Sequence, residues 1–182
     1  MRTWNRGVWT VLVATVVLIT GAATGACSDD GSSGPDVVRD NGEFTHRAAR
    51  ICGDVLKRRA GDADYRKDRD AIVTALVTVI KKQRPPAEVA QALTRTIEEY
   101  ERTTRDLGRI TSADPKWAEA WSQVAAAITG DAKTYRDRRD ALVSEDSARL
   151  AAQFRPGGLT SDINAPLTVL GLNERDCRLL LQ

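Results

Sequence analysis

Apolar residues recur three and four positions apart through most of the chain beyond residue 43, which is the spacing of one face of an α-helix. On this basis the sequence predicts four long helices, over about 44–60, 64–83 and 86–110 and from 115 to about 142. The predicted apolar stripes are Phe44, Ala48, Ile51, Cys52 and Val55 in the first helix, Tyr65, Ile72, Leu76, Val79 and Ile80 in the second, Val89, Leu93, Ile97, Tyr100 and Leu107 in the third, and Trp117, Trp121, Val124, Ile128, Tyr135 and Leu142 in the fourth.

Helix-breaking residues separate these segments. Gly61-Asp62 ends the first helix, Pro85-Pro86 stops the second, and Asp114-Pro115 provides a cap and a proline for the first turn of the fourth. A short helix holding Leu150 and Phe154 and a short helix or turn over 161–170 follow, with Gly171 as a C-cap. The pattern predicts an all-α, up-down bundle of about four main helices plus a short C-terminal helix and tail. The nearly continuous apolar run over 71–80 favours a central position for the second helix.

The first 26 residues have the layout of a bacterial export signal. Arg2 and Arg6 form a positive start, residues 8–19 form an apolar run, and residues 21–26 are small. The run is shorter than the ~20 residues that a membrane-spanning helix needs, so a cleaved signal is favoured over a permanent anchor.

Thr24-Gly25-Ala26-Cys27 resembles the lipobox of bacterial lipoproteins. The resemblance implies that cleavage precedes Cys27 and that its sulfur carries diacylglycerol, which would hold the chain on the extracytoplasmic face of the membrane. Thr24 stands where that family usually has leucine, so secretion after ordinary cleavage and anchoring by an uncleaved signal remain the alternatives. Residues 27–43, rich in Gly, Ser and Asp, are predicted to form the lipidated cysteine and a flexible tether, and 44–182 the bundle domain.

The cysteine count bears on the same question. The chain has three cysteines, and an exported protein meets an oxidising compartment in which thiols tend to pair. Lipidation of Cys27 would leave Cys52 and Cys177 as one pair. A disulfide between them would tie the first helix to the C-terminal tail.

Two short motifs in the predicted domain resemble small lipoproteins and secreted helical proteins of actinobacteria. They are F-x-x-x-A-x-x-I-C and L-G-L followed by a cysteine, which here are Phe44, Ala48, Ile51 and Cys52, then Leu170, Gly171, Leu172 and Cys177. The resemblance implies a disulfide-closed helical bundle. It implies no activity, substrate or catalytic residue.

Charge and motif content exclude several function classes. Without Arg2 and Arg6, the only charged residues of the signal, 25 basic residues balance 25 acidic ones, so a nucleic-acid partner is not expected. His46 is the single histidine and lies off the apolar stripe, and no catalytic, cofactor or metal motif is present. The acids of Glu98-Glu99-Tyr100-Glu101 are interpreted as a solvated ion-pair face with Arg102 and Arg105, four residues after Glu98 and Glu101.

Trp117 and Trp121 share one helix face, and the sequence leaves two interpretations open. Core packing is favoured, because indoles bury large areas. The alternative is an aromatic face for a ligand or partner. The leading functional hypothesis is a lipid-anchored protein, not an enzyme, that binds an envelope protein, a wall polymer or a lipid. The other hypotheses are a carrier of a lipid or apolar small molecule, and an enzyme that uses carboxylates.

Overall fold

The structure, a computed structural model, describes residues 34–144, 146–154, 163–172 and 177. Within these ranges the chain forms six helices and a two-stranded sheet, so the predicted all-α class and helical bundle are confirmed. The predicted signal, Cys27 and the last five residues lie outside the described residues. The elements are β1 (Asp36–Val38), α1 (Asn41–Gly61), α2 (Ala63–Ile80), α3 (Glu88–Leu107), β2 (Ile110–Ser112), α4 (Pro115–Val143), α5 (Ser147–Gln153) and α6 (Asn164–Val169).

The folded domain begins before residue 44. Strand β1 lies in the segment assigned to the tether and pairs in parallel with β2, with Asp36 opposite Ile110. Its last residue, Val38, is buried in the core. Helix α1 then starts at Asn41, because the Asp40 side chain accepts a hydrogen bond from the Glu43 backbone N–H at 2.7 Å. The predicted tether is therefore shorter than residues 27–43.

Acidic residues cap the start of three further helices, and a glycine ends α6. Asp62, Asp114 and Asp146 each accept a backbone N–H at the start of α2, α4 and α5. Gly171 has φ +62° and ends α6, where its N–H and that of Leu172 bond back to the Thr168 and Leu167 carbonyls. The predicted glycine C-cap is confirmed.

Helix α2 is not the central helix that its apolar run suggested. Ile72 and Ala75 are buried, but Val73, Val77 and Ile80 are 53%, 46% and 57% exposed. The run is apolar on all sides, so its periodicity could not show which face packs against α3 and which faces solvent. The structure places α2 at the edge of the bundle with an uncovered aliphatic face.

Buried apolar residues form two clusters. The first cluster lies around Phe44, Trp121, Ile128 and Leu170, and the second around Ile72, Leu93, Leu142 and Phe154. Tyr135 packs against both. A polar layer joins α1 to α3 and is defined as Arg58, Arg59, Glu99, Thr103 and Asp106.

The predicted disulfide joins Cys52 of α1 to Cys177, with a Cα–Cα distance of 5.2 Å. Both residues are fully buried in the first cluster. The bond spans 125 residues of sequence and so closes most of the described domain into one loop. None of the described helices is both long and apolar enough to cross a membrane.

Candidate functional site

An apolar cleft of about 400 Å³ lies where the C-terminal end of α2 meets the C-terminal end of α4 and helix α5. Such a volume falls within the range of about 300–1,000 Å³ that small-molecule sites occupy. Most of its lining surface is hydrocarbon. The lining residues are Val79, Lys82, Gln83, Arg84, Ala141, Leu142, Ser147, Leu150 and Ala151.

The second apolar cluster provides the floor of this cleft. Leu142 and Leu150 belong to that cluster and are 4% and 8% exposed. Asp146 caps α5 by accepting the Ala148 and Arg149 N–H groups, which fixes the start of the short helix beside α4. Helices α2, α4 and α5 therefore build most of the wall.

Lys82 stands on the rim in an unusual backbone conformation. Its φ is +59°, and it is the only non-glycine residue with a positive φ in the described chain. The Lys82 N–H bonds to the Val79 carbonyl at 2.8 Å and the Gln83 N–H to the Thr78 carbonyl at 3.1 Å, which is the helix-ending motif that normally uses glycine. A lysine there costs about 1 kcal/mol or more relative to glycine. The fold thus holds a cationic residue with a strained backbone at the edge of an apolar cleft.

Arg84 adds a second cation to the rim. Its Nη2 donates to the Leu142 carbonyl oxygen at 3.0 Å, near the C-terminal end of α4. A cation is favourable there, because the last carbonyls of a helix carry partial negative charge. Among the lining residues that the structure describes, the charged ones are Lys82 and Arg84, and both are cations.

A second concave region, a mixed-charge groove between α2 and α3, has a different character. The described residues that line it are three aspartates, two glutamates, three arginines and Tyr65. Arg95 of α3 pairs with Asp68 of α2, whose side chain is 4% exposed, and the hydrogen bond with Asp68 raises the pKa of Arg95.

Glu99 of α3 lies in the polar layer rather than on a solvated face. Arg58 contacts it with Nε at 3.2 Å and Nη2 at 2.9 Å, and Arg59 contacts it at 3.3 Å. Arg58 also reaches Asp106 at 3.0 Å. Burial opposes the charge of Arg58, but the bonds to Glu99 and Asp106 prevail and raise its pKa. The interpretation of Glu99 as solvated was wrong, because its side chain is only 15% exposed.

The other acids of that stretch behave differently. Glu98 is exposed, as expected. Glu101 forms its ion pair with Arg136 of α4, so it links two helices; its described ion pairs do not include one with Arg105. The contacts of Glu99 and Glu101 join helices of the bundle, which is the arrangement of structural ion pairs.

Arg138 is buried behind the cleft. It is 1% exposed, its Nε donates to the Gln153 carbonyl oxygen at 3.1 Å, and its guanidinium lies 5.8 Å from the centre of the Phe154 ring. Burial lowers its pKa. Arg138 thereby joins α4 to the end of α5 and so positions the helix that carries Leu150 and Ala151, a role that no sequence pattern indicated.

The tryptophans do not reach the cleft. Trp121 is 3% exposed, and its Nε1 donates to the Leu107 carbonyl oxygen at 2.9 Å. Phe44 packs edge-on against Trp117 and Trp121, at centroid distances of 6.0 and 5.7 Å. Trp117 is half-buried against the first apolar cluster. This placement accords with the core interpretation and leaves Trp121 unavailable as a surface for a ligand.

His46 is exposed and lies 3.1 Å from Nη2 of Arg50. Across the described ranges, no group of three or more His, Cys, Asp or Glu side chains is placed to hold a metal ion.

The residues that line the cleft were not predicted as a site. The signals that could have indicated it are the cationic run Lys81-Lys82-Gln83-Arg84 and the apolar run before it, since they meet at one helix end.

Compared with protein-family models, with curated proteins and with solved structures, the chain has no match.

Proposed function

We propose that this protein is a lipid-anchored helical protein on the extracytoplasmic face of the cell membrane, where it binds a component of the envelope. The observation that carries the binding part is the uncovered apolar face of α2, where Val73, Val77 and Ile80 are exposed at helical spacing. The C-terminal end of the same helix borders the apolar cleft. Contiguous exposed apolar surface is uncommon on soluble monomers and marks interaction sites.

The location is supported by two independent features. The pattern of residues 1–27 is typical of an export signal followed by a lipidated cysteine. The disulfide between Cys52 and Cys177 is of the kind that persists in oxidising compartments and is rare in the cytosol.

A second candidate function, the carriage of a lipid or other apolar small molecule, is favoured by the concave shape of the cleft. A convex apolar face serves a protein partner, whereas a concave one encloses a small molecule. Carboxylate catalysis has less support, because Asp68, Glu99 and Asp106 are each held by arginine.

The anchor is tested by replacing Cys27 with serine in the full chain. We expect the wild-type chain to sediment with membranes and to incorporate labelled fatty acid, and Cys27→Ser to lose all of the label, since diacylglycerol is attached through that sulfur. Ser28→Ala, which changes the next residue and keeps the sulfur, is the matched control and should behave as wild type. Equal labelling of Cys27→Ser and wild type would refute the lipid anchor.

A further inference from the structure

We propose that the cleft binds the hydrocarbon chain of a free fatty acid, with its carboxylate at Lys82. The inference deepens the proposed function by naming the ligand class, and it rests on that function for the supply of lipid at the membrane. The juxtaposition that carries it is a hydrocarbon wall of Val79, Leu142 and Leu150 beside a cationic rim.

The size and lining of the cleft suit one acyl chain. Its volume of about 400 Å³ is near the small end of the range for ligand sites, so one chain fits better than the paired chains of a diacyl lipid. Leu142 and Leu150 lie at its floor, so methylene groups that enter it would leave water. Each methylene transferred from water to such a surface improves affinity by about fourfold.

The charged residues on the rim of the cleft favour a ligand with an anionic headgroup. Arg84 already donates to the Leu142 carbonyl, whereas the described ion pairs include none to Lys82. A single exposed ammonium suits a singly charged carboxylate. A cationic amphiphile would meet the like charge of Lys82 at the rim.

The backbone of Lys82 supports a ligand role rather than a purely structural one. Glycine would satisfy the helix-ending motif at φ +59° without strain, and lysine does not. Strained residues persist where the surrounding structure holds them, and they cluster at functional sites. Replacing Lys82 by glycine is therefore expected to preserve or raise stability while removing the headgroup contact.

The test uses the full chain reconstituted in phosphatidylcholine vesicles, with hexadecanoic acid that carries a terminal photoreactive diazirine. We expect irradiation to label peptides that contain Leu142, Leu150 or Ala151. The corresponding diazirine alcohol has the same chain without the charge, and its labelling should be about fivefold weaker at equal subsaturating concentration. The neutral probe controls for simple partitioning into the vesicle.

Four variants make the test specific. Lys82→Gly should lose about fivefold in labelling with no fall in its thermal unfolding midpoint, and Lys82→Arg should retain labelling. Ala151→Leu fills the cleft from an exposed position and should also reduce labelling, whereas Ala152→Leu, exposed on the next residue and absent from the cleft wall, should not.

The outcomes separate this inference from the broader proposal. Equal labelling by the acid and the alcohol, or equal effects of Ala151→Leu and Ala152→Leu, would overturn the fatty-acid site. Labelling that an excess of unlabelled hexadecanoate fails to reduce would also overturn it. Each of these results leaves the lipid anchor standing, because the anchor is decided by labelling at Cys27 and not at the cleft.

Discussion

Replacing Cys52 with alanine is expected to lower the free energy of unfolding by about 4–5 kcal/mol, the largest effect of any single substitution considered. The bond closes a loop of 125 residues, and in the chain-entropy account the stabilisation grows with the length of the closed loop. For a domain of this size the midpoint of thermal unfolding should fall by about 10–20 °C. Differential scanning calorimetry of the full chain under oxidising conditions measures it.

The companion variants decide whether the bond itself is responsible. Cys177→Ala should lose a similar amount, and the double variant should lose little more than either single variant, since all three remove one bond. Cys27→Ala provides the control, because it removes a cysteine that takes no part in the disulfide. Additive losses at Cys52 and Cys177 would contradict the pairing.

The second large effect is expected at Glu99. Its replacement by alanine leaves Arg58 and Arg59 without their shared carboxylate in a partly buried layer. Removing one partner of a buried ion pair costs about 3–5 kcal/mol, and the lower end applies because the side chains of Arg58 and Glu99 remain 23% and 15% exposed. We expect a loss of about 3 kcal/mol, measured from the urea midpoint.

Glu98 is the matched control for this substitution. It precedes Glu99 on the same helix and is exposed, so Glu98→Ala should change stability by no more than about 0.5 kcal/mol. Similar small losses for both variants would show that Glu99 is solvated, contrary to the contacts described above.

The sequence predicted α1, α3 and α4 well because each buries one face of a helix. The stripe over Val89, Leu93, Ile97, Tyr100 and Leu107 is buried throughout, as its spacing required. Helix α2 was placed wrongly, since a run that is apolar on every side has no preferred face. Strand β1 was missed because three residues are too few for a periodic signal and their partner strand lies far along the chain.

The functional surfaces were less predictable than the helices. Three glutamates of α3 lie close together in the sequence. Glu99 falls on the same helix face as the buried Thr96 and Thr103, whereas its neighbour Glu98 points to solvent. Only their positions around the helix distinguish the two residues. The cationic run after α2 was visible in the sequence. This run lies beside Leu150 only because of where α5 packs. The contacts of Arg138 with the end of α5 and with Phe154 set that position.

Native mass spectrometry of the full chain, gently extracted from its own membrane, tests the central claim of a lipid-anchored binding protein most directly. The expected species begins at Cys27, carries the mass of diacylglycerol, lacks the two hydrogens of one disulfide, and retains the additional mass of a bound envelope component. A single bound fatty acid would also support the assignment of the cleft. An unmodified chain that begins elsewhere and carries no bound mass would contradict the account.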